Sequence, residues 1–145
     1  MRNLLLKRIS KNNKEISLMF FEGDLNNKLH IKTSEDIKTY LSQIFKYKFF
    51  NGNFNESTYF IKNNYVELSL FYITNSNLDN SIYMINTLKK FNLQKPIIAI
   101  LAIDFDYTLI KKLLCLGVNN FVYEEEELDK TLAFLDKTLY ESILF

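Results

Sequence analysis

Two short runs limit what this chain can become. They are Tyr65-Val66-Glu67-Leu68-Ser69-Leu70-Phe71-Tyr72-Ile73 and Pro96-Ile97-Ile98-Ala99-Ile100-Leu101-Ala102. A strand with one wet face alternates apolar and polar residues. A strand that is apolar at nearly every position is covered on both faces, as in a parallel sheet between two helical layers. Leu78 to Phe91 separates the runs and places Ile82, Ile85 and Leu88 on one side of a predicted helix. After the second run the pattern predicts a helix over Tyr107–Leu116, stopped by Gly117, then a strand at Phe121–Tyr123. A last helix carries the stripe Leu128, Leu132, Leu135 and Leu139. Strands separated by single helices imply right-handed crossovers. The expected class is α/β: a three-layer, doubly wound parallel sheet with an irregular N-terminal segment.

The first half is less regular. Leu4–Ile9 and Ile16–Phe21 are apolar runs parted by Lys11-Asn12-Asn13-Lys14, so residues 1–31 form either a small meander or an arm ahead of one core strand. Two registers are open for that strand. Ile16–Phe21 makes the better strand and is preferred, with an enlarged loop from Leu25 to Lys32; Leu29–Ile31 gives a more ordinary spacing to the next helix. Thr33-Ser34-Glu35-Asp36 reads as that helix's start, followed by Ile37, Tyr40, Leu41, Ile44 and Phe45 at helical spacing. Tyr47–Phe50 reads as a short strand and Glu56–Lys62 as a short helix.

A chain of 145 residues suits a single domain over 1–145, and no linker or repeat divides it. No apolar run approaches the roughly 20 residues of a membrane span, and the apolar centre of residues 1–8 is too short for a signal peptide. One cysteine permits no internal disulfide, so the cytoplasm is the expected compartment. Net charge is +1 and the basic residues are scattered, which argues against direct nucleic-acid binding. Only Gly23, Gly52 and Gly117 are present, too few for a phosphate-cradling loop. His30 is the sole histidine, with no nucleophile motif around it, and reads as a strand or loop residue. Cys115, within Leu113-Leu114-Cys115-Leu116, reads as buried core. Glu124-Glu125-Glu126-Glu127 reads as the acidic start of the last helix.

The segment from Tyr47 to Leu139 resembles the receiver domain of two-component response regulators, which implies a doubly wound sheet of flavodoxin-like type. Val66 to Tyr72 is similar to that family's third strand, Pro96 to Ala102 to its fourth, and Gly117-Val118-Asn119-Asn120-Phe121-Val122-Tyr123-Glu124 to its glycine-led turn and fifth strand. The resemblance implies a pocket in which an aspartate is phosphorylated, acids after the first strand hold Mg²⁺, and a hydroxyl and a lysine engage the phosphoryl group. In this register the aspartate position falls on Tyr72, the hydroxyl position on Leu101 and the lysine position on Glu124. A phenol, an alkyl chain and a second carboxylate cannot perform those roles. Glu22 and Asp24 stand where the acidic pair would follow a strand at Ile16–Phe21, but read as solvated loop acids without the third carboxylate. Tyr72 could hydrogen-bond across the empty pocket, or simply pack. Tyr123 falls near the family's aromatic switch position.

The expected protein is therefore a non-catalytic, receiver-like signalling module, with no enzyme activity, metal or cofactor, acting by protein contact without aspartyl phosphorylation. Two alternatives stand beside it. One is the receiver part of a transcription regulator whose DNA-binding domain lies beyond Phe145, favoured by the abrupt apolar end Ile143-Leu144-Phe145; the other is a small α/β enzyme of unrelated chemistry. The resemblance implies a dimer face over residues 107–140, the family's fourth helix, fifth strand and fifth helix. Lys111 and Lys112 could pair there with Asp129, Asp136 and Glu141 of a second copy, around an apolar centre at Tyr123 or Phe134.

Overall fold

The computed structural model describes residues 18–23, 25–43, 59, 67–91, 96–104 and 106–144. Among these residues four strands, β1 (Leu18–Phe21), β2 (Leu68–Ile73), β3 (Ile97–Leu101) and β4 (Asn120–Tyr123), form one sheet. Their order is β1-β2-β3-β4, and every pairing is parallel. Among the described residues four helices alternate with them: α1 (Lys28–Ser42), α2 (Leu78–Phe91), α3 (Tyr107–Cys115) and α4 (Leu128–Leu144). The expected strand at Tyr47–Phe50 lies outside the described residues. So does the expected helix at Glu56–Lys62, apart from Tyr59, which is helical.

Period-two alternation assigns the strand residues to two cores. Leu18, Phe20, Leu68, Leu70, Tyr72, Ile98, Ile100 and Val122 pack with Ile37, Tyr40 and Leu41 of α1 and Leu132, Leu135 and Leu139 of α4. Met19, Phe21, Phe71, Ile73, Ile97, Ala99 and Leu101 pack on the opposite face with Met84, Ile85 and Leu88 of α2 and with Leu113 and Val118. Helices thus cover both faces, which is why β1, β2 and β3 are buried throughout. Only β4, last in the described sheet, is partly exposed. The class is the expected α/β, flavodoxin-like one.

Local chemistry sets the connections. After α3, Gly117 takes φ +104°. Its N–H donates to Leu114 O (3.1 Å) and that of Val118 to Leu113 O (3.0 Å). This pair of bonds satisfies the last helical carbonyls and aims the chain into β4. Asp106 caps the start of α3 by accepting from the Thr108 and Leu109 amides at 2.9 and 3.3 Å.

The first helix departs from expectation. Its N-cap is Asn27, whose Oδ1 accepts from the Leu29 and His30 amides at 2.8 and 3.3 Å. Of the two registers for the first strand, Leu18–Phe21 is the real one. Leu29–Ile31 is helical, His30 is a helix residue, and the expected loop to Lys32 is cut short at Asn27. Thr33 to Asp36 form the helix's second turn instead of its start, because Ser34 is buried and donates its hydroxyl to Glu22. Cys115 is also not in the core: it is exposed, since α3 turns only Leu113 of that run fully inward.

Candidate functional site

In an open parallel sheet, loops leaving the strand C-termini surround the place where ligands bind. Here the register sets Tyr72 beside Ile100, Ile73 beside Leu101 and Leu101 beside Tyr123. Three of the residues singled out in the sequence, Tyr72, Leu101 and Glu124, therefore meet at this rim. Glu22 joins them from the end of β1. Asp24 lies outside the described residues.

Tyr72 is fully buried, and its hydroxyl donates to Glu124 Oε1 at 2.6 Å. From α1, the His30 ring meets the Tyr72 ring edge-on at 6.2 Å between centroids. Burial first, and then the Glu124 carboxylate, push the Tyr72 phenol above its ordinary range. The neutral phenol is the form that can donate, so the environment reinforces the bond. Glu124 is fixed from behind, its amide donating to Leu101 O at 2.9 Å.

Glu22 is not a solvated loop acid. It accepts from Ser34 Oγ, and Lys38 Nζ lies 3.0 Å from its Oε1 and 2.8 Å from Glu35 Oε1. Burial alone would lower the Lys38 pKa, but hydrogen bonds to Glu35 and Glu22 outweigh it and the ammonium is held above its usual value. An internal cation thus neutralises the carboxylate at the end of β1. Among the described residues no group of three acids, histidines or cysteines could hold a metal ion.

The residue that joins these parts was not singled out in the sequence. Asn77, 1% exposed, donates from Nδ2 to the carbonyls of Glu22 and Tyr72, the latter at 2.8 Å. Its Oδ1 accepts from the Thr74 amide at 2.8 Å and from Ser81 Oγ at 3.3 Å. One buried amide therefore ties β1, β2 and the start of α2 together. Gly23, at φ +58°, lets the chain pass: a Cβ there would lie 3.2 Å from Asn77 Cβ and 3.1 Å from the Phe21 ring. The only sequence signal was the turn-like run Thr74-Asn75-Ser76-Asn77, which does not say which side chain points inward.

Beside Tyr72 lies a shallow, open depression of about 300 Å³, lined by Asn75, Leu101, Ala102, Ile103, Asp104 and Glu124. Its character is polar and acidic, and it offers no nucleophile paired with a base. A second groove, about 360 Å³, runs between β4 and α4 and is lined in part by Tyr123, Glu125, Phe134, Lys137 and Glu141. Tyr123 and Phe134 are 38% and 51% exposed there. Lys111, Lys112, Asp129 and Glu141 are exposed on the flanking helices. Asp136 is different: it is half-buried and accepts from the Tyr40 hydroxyl, so its carboxylate is engaged within the fold.

No family model and no curated protein matches the sequence. Solved structures do match the fold. A response regulator from Thermotoga maritima superposes with a TM-score of 0.56 at 14% identity, covering 84% of this chain and 97% of that one. The pilus assembly protein CpaE2 of Sinorhizobium meliloti 1021 gives 0.53 at 17% identity, covering 83% and 97%. The pilus assembly protein CpaE of Caulobacter crescentus CB15 gives 0.53 at 10% identity, covering 87% and 97%. The fold is receiver-like. At such identities the likeness reaches no further than the fold. Among the described residues no helix is long and apolar enough to cross a membrane.

Proposed function

We propose that this chain is a non-enzymatic, receiver-like regulatory module that acts through protein contacts and without aspartyl phosphorylation. The observation that carries the proposal is the Tyr72–Glu124 hydrogen bond. The positions at which the family resemblance calls for a phosphate acceptor and a lysine hold a phenol and a carboxylate bonded to each other at 2.6 Å. A phosphoryl group entering there would meet the negative charge of Glu124 and no carboxylate nucleophile at Tyr72. Leu101 supplies no hydroxyl, and Lys38 already neutralises Glu22. The module is assigned to the cytoplasm, with neither cofactor nor nucleic acid as its own ligand.

Incubation with acetyl phosphate and Mg²⁺ tests this reading. No hydroxylamine-labile mass gain of one phosphoryl group is expected, in the wild type or in Tyr72→Asp, where Glu124 still repels the incoming group. An acyl phosphate on the wild type would overturn the proposal.

The contact surface proposed is the α3–β4–α4 face. Tyr123 and Phe134 supply exposed apolar area at its groove, while Lys111 and Lys112 stand on α3 and Asp129 and Glu141 on α4. A two-fold contact would pair these charges reciprocally, each exposed pair adding only about 0–1 kcal/mol, so the aromatic centre must provide most of the affinity. Sedimentation should show a homodimer for the wild type and a weaker one for the Lys111→Glu, Lys112→Glu variant. A monomer at high micromolar concentration, or a dimer indifferent to both charges, would refute this face.

A further inference from the structure

Tyr72 is unusual among the large buried side chains because its polar end touches elements that are distant in sequence. Its ring belongs to the core beneath α1 and α4. Its carbonyl is held by Asn77 Nδ2 at 2.8 Å. The hydroxyl donates to Glu124 Oε1 at 2.6 Å. Glu124 is the first residue after β4. The next residue, Glu125, donates its amide to Thr131 Oγ1 at 2.8 Å, and Thr131 is fully buried in the first turns of α4. Glu125 also lines the groove between β4 and α4.

These contacts form a continuous path from the clamp at Asn77, through the Tyr72 hydroxyl, to the connection that shapes the groove. The sheet register alone does not fix that connection. Backbone pairing of β4 ends with Leu101 opposite Tyr123, followed only by the Glu124 amide bond to Leu101. Residues Glu124 to Glu127 carry four adjacent carboxylates, whose mutual repulsion works against an ordered connection.

We propose that the Tyr72–Glu124 hydrogen bond, positioned by Asn77, is a built-in strut that permanently orders the β4–α4 connection and so presets the groove between β4 and α4. The inference rests on the proposed reading of the rim as a pocket without phosphoryl chemistry, and extends it: the internal bond supplies the coupling between pocket and surface. Both partners lie within the chain, so the groove keeps one shape irrespective of any phosphodonor. Tyr72 and Glu124 are positioning residues, and the groove itself is the surface that they position.

Amide hydrogen exchange of the full chain distinguishes this strut from ordinary packing. Tyr72→Phe keeps the ring and removes only the hydroxyl, while Glu124→Leu removes the acceptor. Both should accelerate exchange at least about tenfold at the Glu124 and Glu125 amides, which donate to Leu101 O and Thr131 Oγ1, a loss of about 1.4 kcal/mol of local protection. Amides of β2 and α2 should be unaffected. Glu124→Gln keeps an acceptor oxygen and should retain most of the protection. If Glu124→Leu does not fold, Tyr72→Phe decides alone. Unchanged exchange at the Glu124 and Glu125 amides, or equal acceleration throughout the sheet, would overturn the strut. The acetyl phosphate assay reads the parent proposal separately: an acyl phosphate with local acceleration intact would remove that reading and leave the strut.

Discussion

Phe71 and Asn77 are close in sequence and almost equally buried, 0% and 1% exposed, yet they hold the molecule together in different ways. Phe71 is surrounded by apolar side chains and stacks at a tilt on Phe21, with 5.5 Å between ring centroids. Its contribution is area removed from water and close packing, neither of which depends on one partner atom. Asn77 makes directed bonds to two carbonyls, one amide and one hydroxyl, and a buried polar group that loses such a bond is costly. The middle of the sheet is thus a packing problem with many acceptable solutions. The C-terminal rim is a bonding problem with few. That difference leaves the layers of the sheet tolerant of substitution and makes the rim depend on particular polar groups.

Truncating the packed middle should have the largest effect. Phe71→Ala removes a ring from both the Phe21 contact and the α2-side core, and should cost about 3–5 kcal/mol in urea unfolding. A volume-conserving Phe71→Leu should cost less than half as much. If the two substitutions proved equally damaging, the middle would have the same atom-by-atom demands as the rim, and the contrast would fail.

Asn77 should respond to chemistry more than to size. Asn77→Ala leaves the Glu22 and Tyr72 carbonyls and the Thr74 amide without their partner, at about 1–3 kcal/mol for such losses. Asn77→Asp is nearly isosteric and should be at least as damaging at neutral pH, since a carboxylate would face two carbonyl oxygens. Its defect should shrink in acid, where the protonated side chain can donate one bond. Urea midpoints for both variants at pH 7 and pH 4 check this. A well-tolerated Asp would mean that volume matters more than donors at this position.

The same contrast governs how much was legible in the sequence. Layers and strand order follow from apolar periodicity, and 78–91, 97–101 and 120–123 fold where the pattern of Ile, Leu, Phe and Val placed them. Misreadings arose where a polar side chain had two uses. Ser34 and Glu35 have the composition of a helix start, but Ser34 is drawn inward to Glu22 and the exposed Glu35 pairs with Lys38, while the less conspicuous Asn27 makes the cap. Cys115 was read as core because its neighbours are leucines, although Leu114 beside it is 52% exposed. At the rim, Tyr72 and Glu124 were identifiable as misfits in the family's pattern, and a bond across the pocket was one of two open readings for Tyr72. That Glu124 is the partner required the parallel register. Asn77 and Lys38 were invisible because their partners are backbone atoms, or lie across the fold.

The smallest effect expected is at Asp136, where bonding and burial oppose each other. Tyr40, 7% exposed, donates its hydroxyl to this carboxylate and links α1 to α4. Burial raises the Asp136 pKa, and the Tyr40 bond only partly offsets that. A carboxyl whose folded pKa exceeds its unfolded value binds its proton more tightly in the folded state. It therefore opposes folding when ionised, and that penalty is relieved as pH falls through the folded pKa toward the ordinary carboxylate range near 3.9. Asp136→Asn removes the charge and keeps an oxygen to accept from Tyr40. Its stability at pH 7 should equal or slightly exceed that of the wild type, within about 0.5 kcal/mol because the group is only half-buried. Any advantage should shrink as the pH is lowered toward 4 and the wild-type carboxyl takes up its proton. Tyr40→Phe, which removes the donor, should lower stability at both pH values. Parallel urea titrations of the three proteins at the two pH values settle the balance. A clear loss in Asp136→Asn at pH 7 would mean that the charge-assisted bond outweighs burial, and that the α1–α4 contact belongs with the directed bonds of the rim.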